Sequence, residues 1–222
     1  MAEIKLIEVK EEILADNIRQ AASVRDEYKR KKTMLLNLMS SPGSGKTSLI
    51  LRTVEAMKDS VNIGVIEADI DSIVDAEKVA ATGIPAVQLR TGGFCHLDAA
   101  MVTQGLDALA GNDLDLIIIE NVGNLVCPAE FDTGAHKNVM ILSVPEGDDK
   151  PLKYPLMFSV SDLLLVNKID YLALSDFDIG ALRKRALTLN PRMAILEISC
   201  RSGAGIEEWI KWLRQELGAF RK

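Results

Sequence analysis

Three cysteines, two histidines and the lack of any long apolar run mark this chain of 222 residues. A membrane-spanning helix needs about 20 consecutive apolar residues, and no such stretch occurs, so no membrane partner is expected. Nor does an apolar core follow a basic N-terminus, which argues against a secretory signal. An odd number of cysteines in a large core-bearing chain argues against a disulfide framework and fits a reducing compartment, with the cytoplasm as the expectation. The formal net charge is −6. That removes the electrostatic drive for a nucleic-acid role. The one basic run, Lys29-Arg30-Lys31-Lys32, reads as a solvated helix end. The chain has no internal repeat and no low-complexity tract, and its first 33 residues contain neither His nor Cys.

What is present is a core. Hydrophobic residues make up 48% of the chain, enough for one large α/β domain. Residues 1–33 read as an N-terminal helical extension and residues 34–222 as the main domain. The extension carries an imperfect stripe of Ile13, Leu14, Ile18, Ala21, Ala22 and Val24, suited to packing on its own domain or to docking a partner. From residue 34, strand-like and helix-like segments alternate. Strands are expected at Met34–Met39, Asn62–Glu67, Ala86–Leu89, Leu114–Ile119, Asn138–Val144, Leu163–Val166 and Met193–Ile198. Helices are expected at Lys46–Lys58, Ser72–Ala81, His96–Ala110, Phe177–Leu189 and Ile206–Leu217. Strands such as Leu163-Leu164-Leu165-Val166 are apolar on both faces, as when helices cover both sides of a mostly parallel sheet. The alternation predicts a doubly wound α/β fold with ligands at the carboxyl ends of the strands. Residues 143–155, with several prolines and an acidic cluster, read as a loop without an assigned role.

Ser40-Ser41-Pro42-Gly43-Ser44-Gly45-Lys46-Thr47 lies between a strand and a helix, the context of a P-loop. Ser40 replaces the usual first glycine, so the Gly45-Lys46-Thr47 core and its setting carry the reading. Gly43, Ser44 and Gly45 bring backbone amides to phosphate, with Ser48 in the first helical turn. Lys46 is placed to reach the β- and γ-phosphates, and the Thr47 hydroxyl to ligate Mg²⁺. Asn167-Lys168-Ile169-Asp170 follows another strand. The Asp170 carboxylate can accept the N1–H and 2-amino donors of guanine. Lys168 can cover the base, and Asn167 can tie the loop to the P-loop. Ser199, Cys200 and Arg201 are placed to close over the base, with Cys200 reading as a packing residue. Of Asp69 and Asp71, Asp69 is the favoured acid for Mg²⁺, and Asp71 suits a helix cap ahead of Ser72. Glu120 ends the strand at Leu114–Ile119 and can orient Mg²⁺ or the attacking water. Gly123 is the candidate γ-phosphate sensor. No arginine finger is evident, so intrinsic hydrolysis should be slow.

Only four residues past Gly123 stands Cys127, and Cys95-His96 follows Gly92-Gly93. Two thiolates and an imidazole suit Zn²⁺, or Ni²⁺ in planar geometry. Three ligands from one chain leave a site incomplete, and a two-fold dimer would bring two sets face to face. His136 reads as a surface residue.

Four segments in this order and spacing resemble the HypB family of GTPases, which help insert nickel into nickel–iron hydrogenase: Gly43–Thr47, Thr91–Ala99, Glu120–Pro128 and Asn167–Asp170. The resemblance spans roughly residues 34–217. It implies a P-loop NTPase fold of the SIMIBI type and a GTP-promoted homodimer. It also implies an interface metal site on Cys95, His96 and Cys127. The partners implied are a HypA-type nickel chaperone and the hydrogenase large subunit. The urease accessory GTPase UreG is a near relative, but its Cys-Pro-His tripeptide is absent. Relatives often carry an N-terminal His-rich or Cys-x-x-Cys-Gly-Cys nickel motif, which residues 1–33 do not contain. Ala100 and Gln104 stand where some relatives have further histidines, so a second metal there is not expected.

Overall fold

The structure is a computed structural model that describes residues 9–70 and 73–222, with side chains from residue 14 onward. The expectations placed on residues 1–8, on the side chain of Ile13, and on Asp71 and Ser72 lie outside the described residues.

Seven strands form one sheet in which every pairing is parallel. They are β1 (Met34–Ser40), β2 (Ile63–Asp69), β3 (Ala86–Arg90), β4 (Leu116–Glu120), β5 (Lys137–Ser143), β6 (Leu163–Asn167) and β7 (Ala194–Glu197). Their order across the sheet is β3-β2-β4-β1-β5-β6-β7. The chain leaves β1 to build one side of the sheet and returns to β5 to build the other. The carboxyl end of β1 is therefore a crevice where ligands bind in open α/β sheets.

The helices are α1 (Val9–Arg30), α2 (Lys46–Met57), α3 (Val74–Ala80), α4 (Ala99–Ala108), α5 (Cys127–Glu130), α6 (Lys150–Lys153), α7 (Pro155–Val160), α8 (Ile179–Leu189) and α9 (Ile206–Phe220). Alternate strand residues feed opposite faces, because successive side chains of a strand point to opposite sides. Leu36, Leu38, Ile118 and Leu165 join Leu49, Val54, Trp209 and Leu213 of α2 and α9 on one face. On the other, Leu35, Ile117 and Ile119 join Val24, Tyr28, Val102 and Leu106 of α1 and α4. Beside them, Met140, Leu142, Leu164 and Val166 pack with Phe158 and Leu182 of α7 and α8.

Three sequence expectations need correction. Helix α4 begins at Ala99, capped by Asp98, whose carboxylate accepts from the Met101 amide at 2.8 Å, so Cys95 and His96 lie in the loop ahead of it. Residues 143–155 are not an unstructured loop: they hold a 3₁₀ turn at Val144–Glu146, then α6, and lead into α7. In α1, Ile18 and Ala22 face solvent, while Asn17, Ala21, Val24 and Tyr28 are buried. The stripe follows i, i+4, i+7 and i+11, and its first member is polar.

Candidate nucleotide and metal sites

Strand β1 delivers residues 40–45 to the crevice, and α2 starts at Lys46. Gly43 and Gly45 take φ of +73° and +110°, which glycine adopts without steric cost. A Cβ on Gly45 would run into Asn167 Nδ2, so this loop closes only with glycine there. Ser40 is fully buried, and its hydroxyl accepts from Lys46 Nζ at 3.2 Å. Ser44 Oγ donates to Glu146 Oε2 at 2.8 Å, and the same oxygen takes the Ser143 amide at 2.8 Å. Glu146 thus ties the turn after β5 to the phosphate loop, a connection the sequence reading missed. Ser48 is exposed in the first turn of α2.

The Asn-Lys-x-Asp motif ends β6 beside this loop. Asn167 Nδ2 donates to Ser44 O at 2.8 Å, and Asn167 Oδ1 accepts from the Cys200 amide at 3.2 Å. Lys168 is held left-handed at φ +62°, and its Nζ donates to Gly43 O at 2.7 Å. Ser199 Oγ donates to Asp170 Oδ1 at 2.6 Å, which orients the carboxylate. Arg52 of α2 donates through Nε to Cys200 O at 2.9 Å and through Nη2 to the carbonyl of exposed Arg201 at 3.3 Å. The Cys200 side chain is buried in the α2–α9 core, and burial pushes its thiol up to about 11. Cys200 thus packs in that core while its amide reaches Asn167 of the Asn-Lys-x-Asp loop.

Glu120 ends β4, and its Oε1 accepts from Thr47 Oγ1 at 2.9 Å. Neighbouring β2 places Glu67 opposite Glu120 in register. Glu67, Asp75 and Glu120 bring carboxylate oxygens within 4.8 Å of one another. Asp69, the acid favoured from sequence, lies two residues further along β2, half-buried and outside that trio. Glu67 Oε2 and Glu120 Oε2 are buried with no hydrogen-bond partner. Burial pushes both carboxyls up to about 7, and for Glu67 the Glu120 charge adds to the rise. Burial also lowers Lys46, against the pull of Glu120 and Glu67. A hard oxygen cluster with orphaned carboxylate atoms beside a threonine hydroxyl fits a divalent cation such as Mg²⁺.

Past Glu120 the chain runs straight to the thiols. A Cβ on Gly123 would lie 2.9 Å from Pro42 N, so this backbone rests on the phosphate loop. Asn121 is fully buried; its Oδ1 accepts from the amides of Val122 at 2.9 Å and Leu97 at 3.1 Å. Asn124 Nδ2 donates to Cys95 O at 3.4 Å. Cys95 Sγ and Cys127 Sγ are 2.9 Å apart, and His96 Nδ1 is 4.0 Å from Cys95 Sγ. These three residues form a second candidate metal group, with ligand atoms within 4.8 Å of one another. His96 stacks on Phe131 at 3.8 Å between centroids, and burial lowers its pKa. The hydrogen bond with Cys95 raises the Cys127 thiol, followed by burial.

His136 is not a free surface residue. Its Nδ1 accepts from the Leu35 amide at 2.9 Å, its Nε2 lies 3.0 Å from Arg25 O, and its ring meets Phe220 edge-on at 4.5 Å. It joins α1 and α9 to β1 and is not one of the three residues of the thiol group.

No helix among the described residues is long and apolar enough to cross a membrane. The model of the CobW/HypB/UreG nucleotide-binding domain matches residues 34–197. The hydrogenase maturation factor HypB of Azotobacter chroococcum is 46% identical over 219 residues, 99% of this chain and 72% of that protein. The crystal structure of HypB from Archaeoglobus fulgidus superposes with a TM-score of 0.85 at 41% identity, covering 91% of this chain and 99% of that one. HypB from Helicobacter pylori in complex with nickel superposes with a TM-score of 0.87 at 36% identity, covering 93% of this chain and 97% of that one. The chain belongs to the HypB family of hydrogenase maturation factors, within the CobW/HypB/UreG nucleotide-binding group.

Proposed function

We propose that the chain is a GTPase metallochaperone that uses nucleotide state to control a nickel site and assists nickel insertion into nickel–iron hydrogenase. The observation that carries this is the segment Glu120–Cys127. One end bonds Thr47 of the phosphate loop at 2.9 Å, and the other stands 2.9 Å from the Cys95 thiol. A shift of this segment with nucleotide state is felt at both sites.

In the nucleotide site, the amides of Gly43, Ser44, Gly45 and Ser48 and the Lys46 ammonium hold the phosphates. Asp170 accepts from guanine, and Asn167 locks the base loop to the phosphate loop. Thr47 and Glu120, with Glu67 and Asp75 beside them, are the residues that would hold Mg²⁺, and Asp69 is the next acid along β2. When bound, Mg²⁺ neutralises charge on the phosphates. Lys46 stabilises charge on the transferred group in line with an attacking water, and Glu120 orients that water. The Gly123 amide, resting on Pro42, senses whether the terminal phosphate is present. Turnover is slow without a partner, because no arginine is assigned to the leaving side.

Nickel, or zinc in its place, is the cargo and sits on Cys95, His96 and Cys127. Exposed Phe94 and Val126 flank these ligands. Apolar residues there support a GTP-promoted homodimer that completes the coordination from two copies. A HypA-type nickel chaperone and the hydrogenase large subunit are the proposed partners, in the cytoplasm.

The test is metal affinity and stoichiometry in the GDP and GTP-analogue states. A difference between states supports coupling; equal affinity overturns it, since a ligand without state preference shifts no equilibrium. Cys95→Ala and Cys127→Ala should each lose metal binding while keeping GTP affinity within about twofold, a small change beside the tenfold that 1.4 kcal/mol produces.

A further inference from the structure

One side chain of helix α1 bonds both the segment that follows Cys95-His96 and the segment that follows Cys127. Asn17 is 6% exposed, a polar side chain in the otherwise apolar buried stripe of α1. Its Oδ1 accepts from the Ala99 amide at 2.9 Å. That amide opens the first turn of α4, three residues after His96, and a first-turn amide has no partner within its own helix. Its Nδ2 donates to the Asp132 carbonyl at 3.1 Å, five residues after Cys127. One carboxamide thus spans the loop of Cys95-His96 and the segment that leaves Cys127.

The second segment is pinned further. Arg25 Nη2 meets both Asp132 carboxylate oxygens at 2.7 Å, and Arg25 Nε donates to Ala135 O at 3.0 Å. A Cβ on Gly134 would lie 2.8 Å from Val24 Cβ, so this stretch sits directly on α1. Phe131, next to Asp132, is the ring on which His96 stacks. The path from Asn17 to the imidazole therefore runs through Ala99 on one side and through Asp132 and Phe131 on the other.

We infer that Asn17 is a positioning residue for the Cys95–His96–Cys127 metal site, fixing the distance between its two segments from the helix behind them. The inference rests on the reading of that trio as a metal site. Groups that orient metal ligands commonly change affinity by about 10–100-fold when removed. Any event that moves α1 then changes metal affinity without touching a ligand.

The experiment measures Ni²⁺ and Zn²⁺ affinity of the full chain by competition with a chromophoric chelator, beside GDP affinity and melting temperature. Asn17→Ala should weaken metal binding by about 10–100-fold and leave GDP affinity within about twofold. It should also alter the thiolate-to-nickel absorption bands. Asn17→Asp keeps the acceptor for Ala99 and loses the donor for Asp132, so its metal affinity should fall between the two. Leu109→Ala, at the far end of α4, controls for lost stability: it should melt earlier with metal affinity and absorption unchanged. Wild-type metal affinity in Asn17→Ala overturns the inference, as does an equal metal loss in Leu109→Ala. Where Cys127→Ala abolishes binding but Asn17→Ala does not, the metal site stands and the positioning role fails. If the wild-type chain binds neither metal, both fail together.

Discussion

Gly123→Ala is a direct probe of the coupling between phosphate loop and thiols. The new methyl would lie 2.9 Å from Pro42 N and 3.0 Å from Pro42 Cα and Cγ. Carbon contacts are comfortable at about 3.5–4.0 Å. Two of the three opposing atoms are backbone, so no side-chain rotation relieves the overlap. Either the Glu120–Cys127 segment or residues 40–45 must move. Overpacking of this kind costs about 1–3 kcal/mol. Carried into binding, that is roughly 5–150-fold at 1.4 kcal/mol per decade. GTP-analogue affinity should fall by this factor and GDP affinity by less, because the GDP state lacks the phosphate that Gly123 is proposed to sense. The difference in metal affinity between the two states should shrink. Fluorescent-nucleotide titration and chelator competition read both quantities. Gly218→Ala serves as control: a Cβ there meets nothing within 4 Å inside α9. It should stabilise the chain by about 0.5–1 kcal/mol without changing either affinity. Wild-type nucleotide affinities and an unchanged metal difference in Gly123→Ala would refute the reasoning.

Asp170→Asn leaves guanine facing an amide in place of a carboxylate; the loss of a charged hydrogen bond costs about 1.5–3 kcal/mol, roughly 10–150-fold in GTP affinity. Competition binding should show xanthosine triphosphate gaining as GTP loses, and an unaltered preference would remove Asp170 from base recognition. His136 concerns pH. Burial lowers its pKa below the usual 6.5, so the folded state binds its proton less readily than the unfolded chain. Stability from this group is present above the unfolded pKa and is lost as pH falls through the window between the unfolded and folded values. Protonation would also remove the lone pair that accepts from Leu35. Urea unfolding between pH 5 and 7.5 should therefore show a steeper acid-side loss in the wild type than in His136→Gln, and identical slopes would count against it.

Much of the fold was legible because parallel strands buried on both faces read as apolar runs. All seven strands fall within about two residues of the sequence expectation, the usual boundary scatter. The α4 start was misplaced because Asp98 caps the helix, and the Gly92-Gly93 turn just upstream does not. The acids nearest Glu120 were misjudged for a similar reason. Sequence position favours the last acid of a strand, whereas strand pairing selects Glu67 as the neighbour of Glu120. Asp71 and Ser72 fall outside the described residues.

By itself the sequence determined the chemistry that local order can encode. The glycines of residues 43–45 must bend left-handed beside a helix start. Asn167-Lys168-Ile169-Asp170 must sit at a strand end, and Cys95, His96 and Cys127 are soft ligands placed just past the ends of core strands. The tertiary structure alone decided which residues meet. Glu67 faces Glu120 only because β2 pairs with β4 across a chain separation of some 50 residues. Glu146 reaches Ser44 only because β5 lies beside β1. Asn17 is buried and His136 half-buried because α1 folds back onto the sheet and α4, which no stripe in residues 13–24 specifies. A hydrogen bond is a few ångströms long, and sheet order and register bring its partners within reach, whatever their distance along the chain.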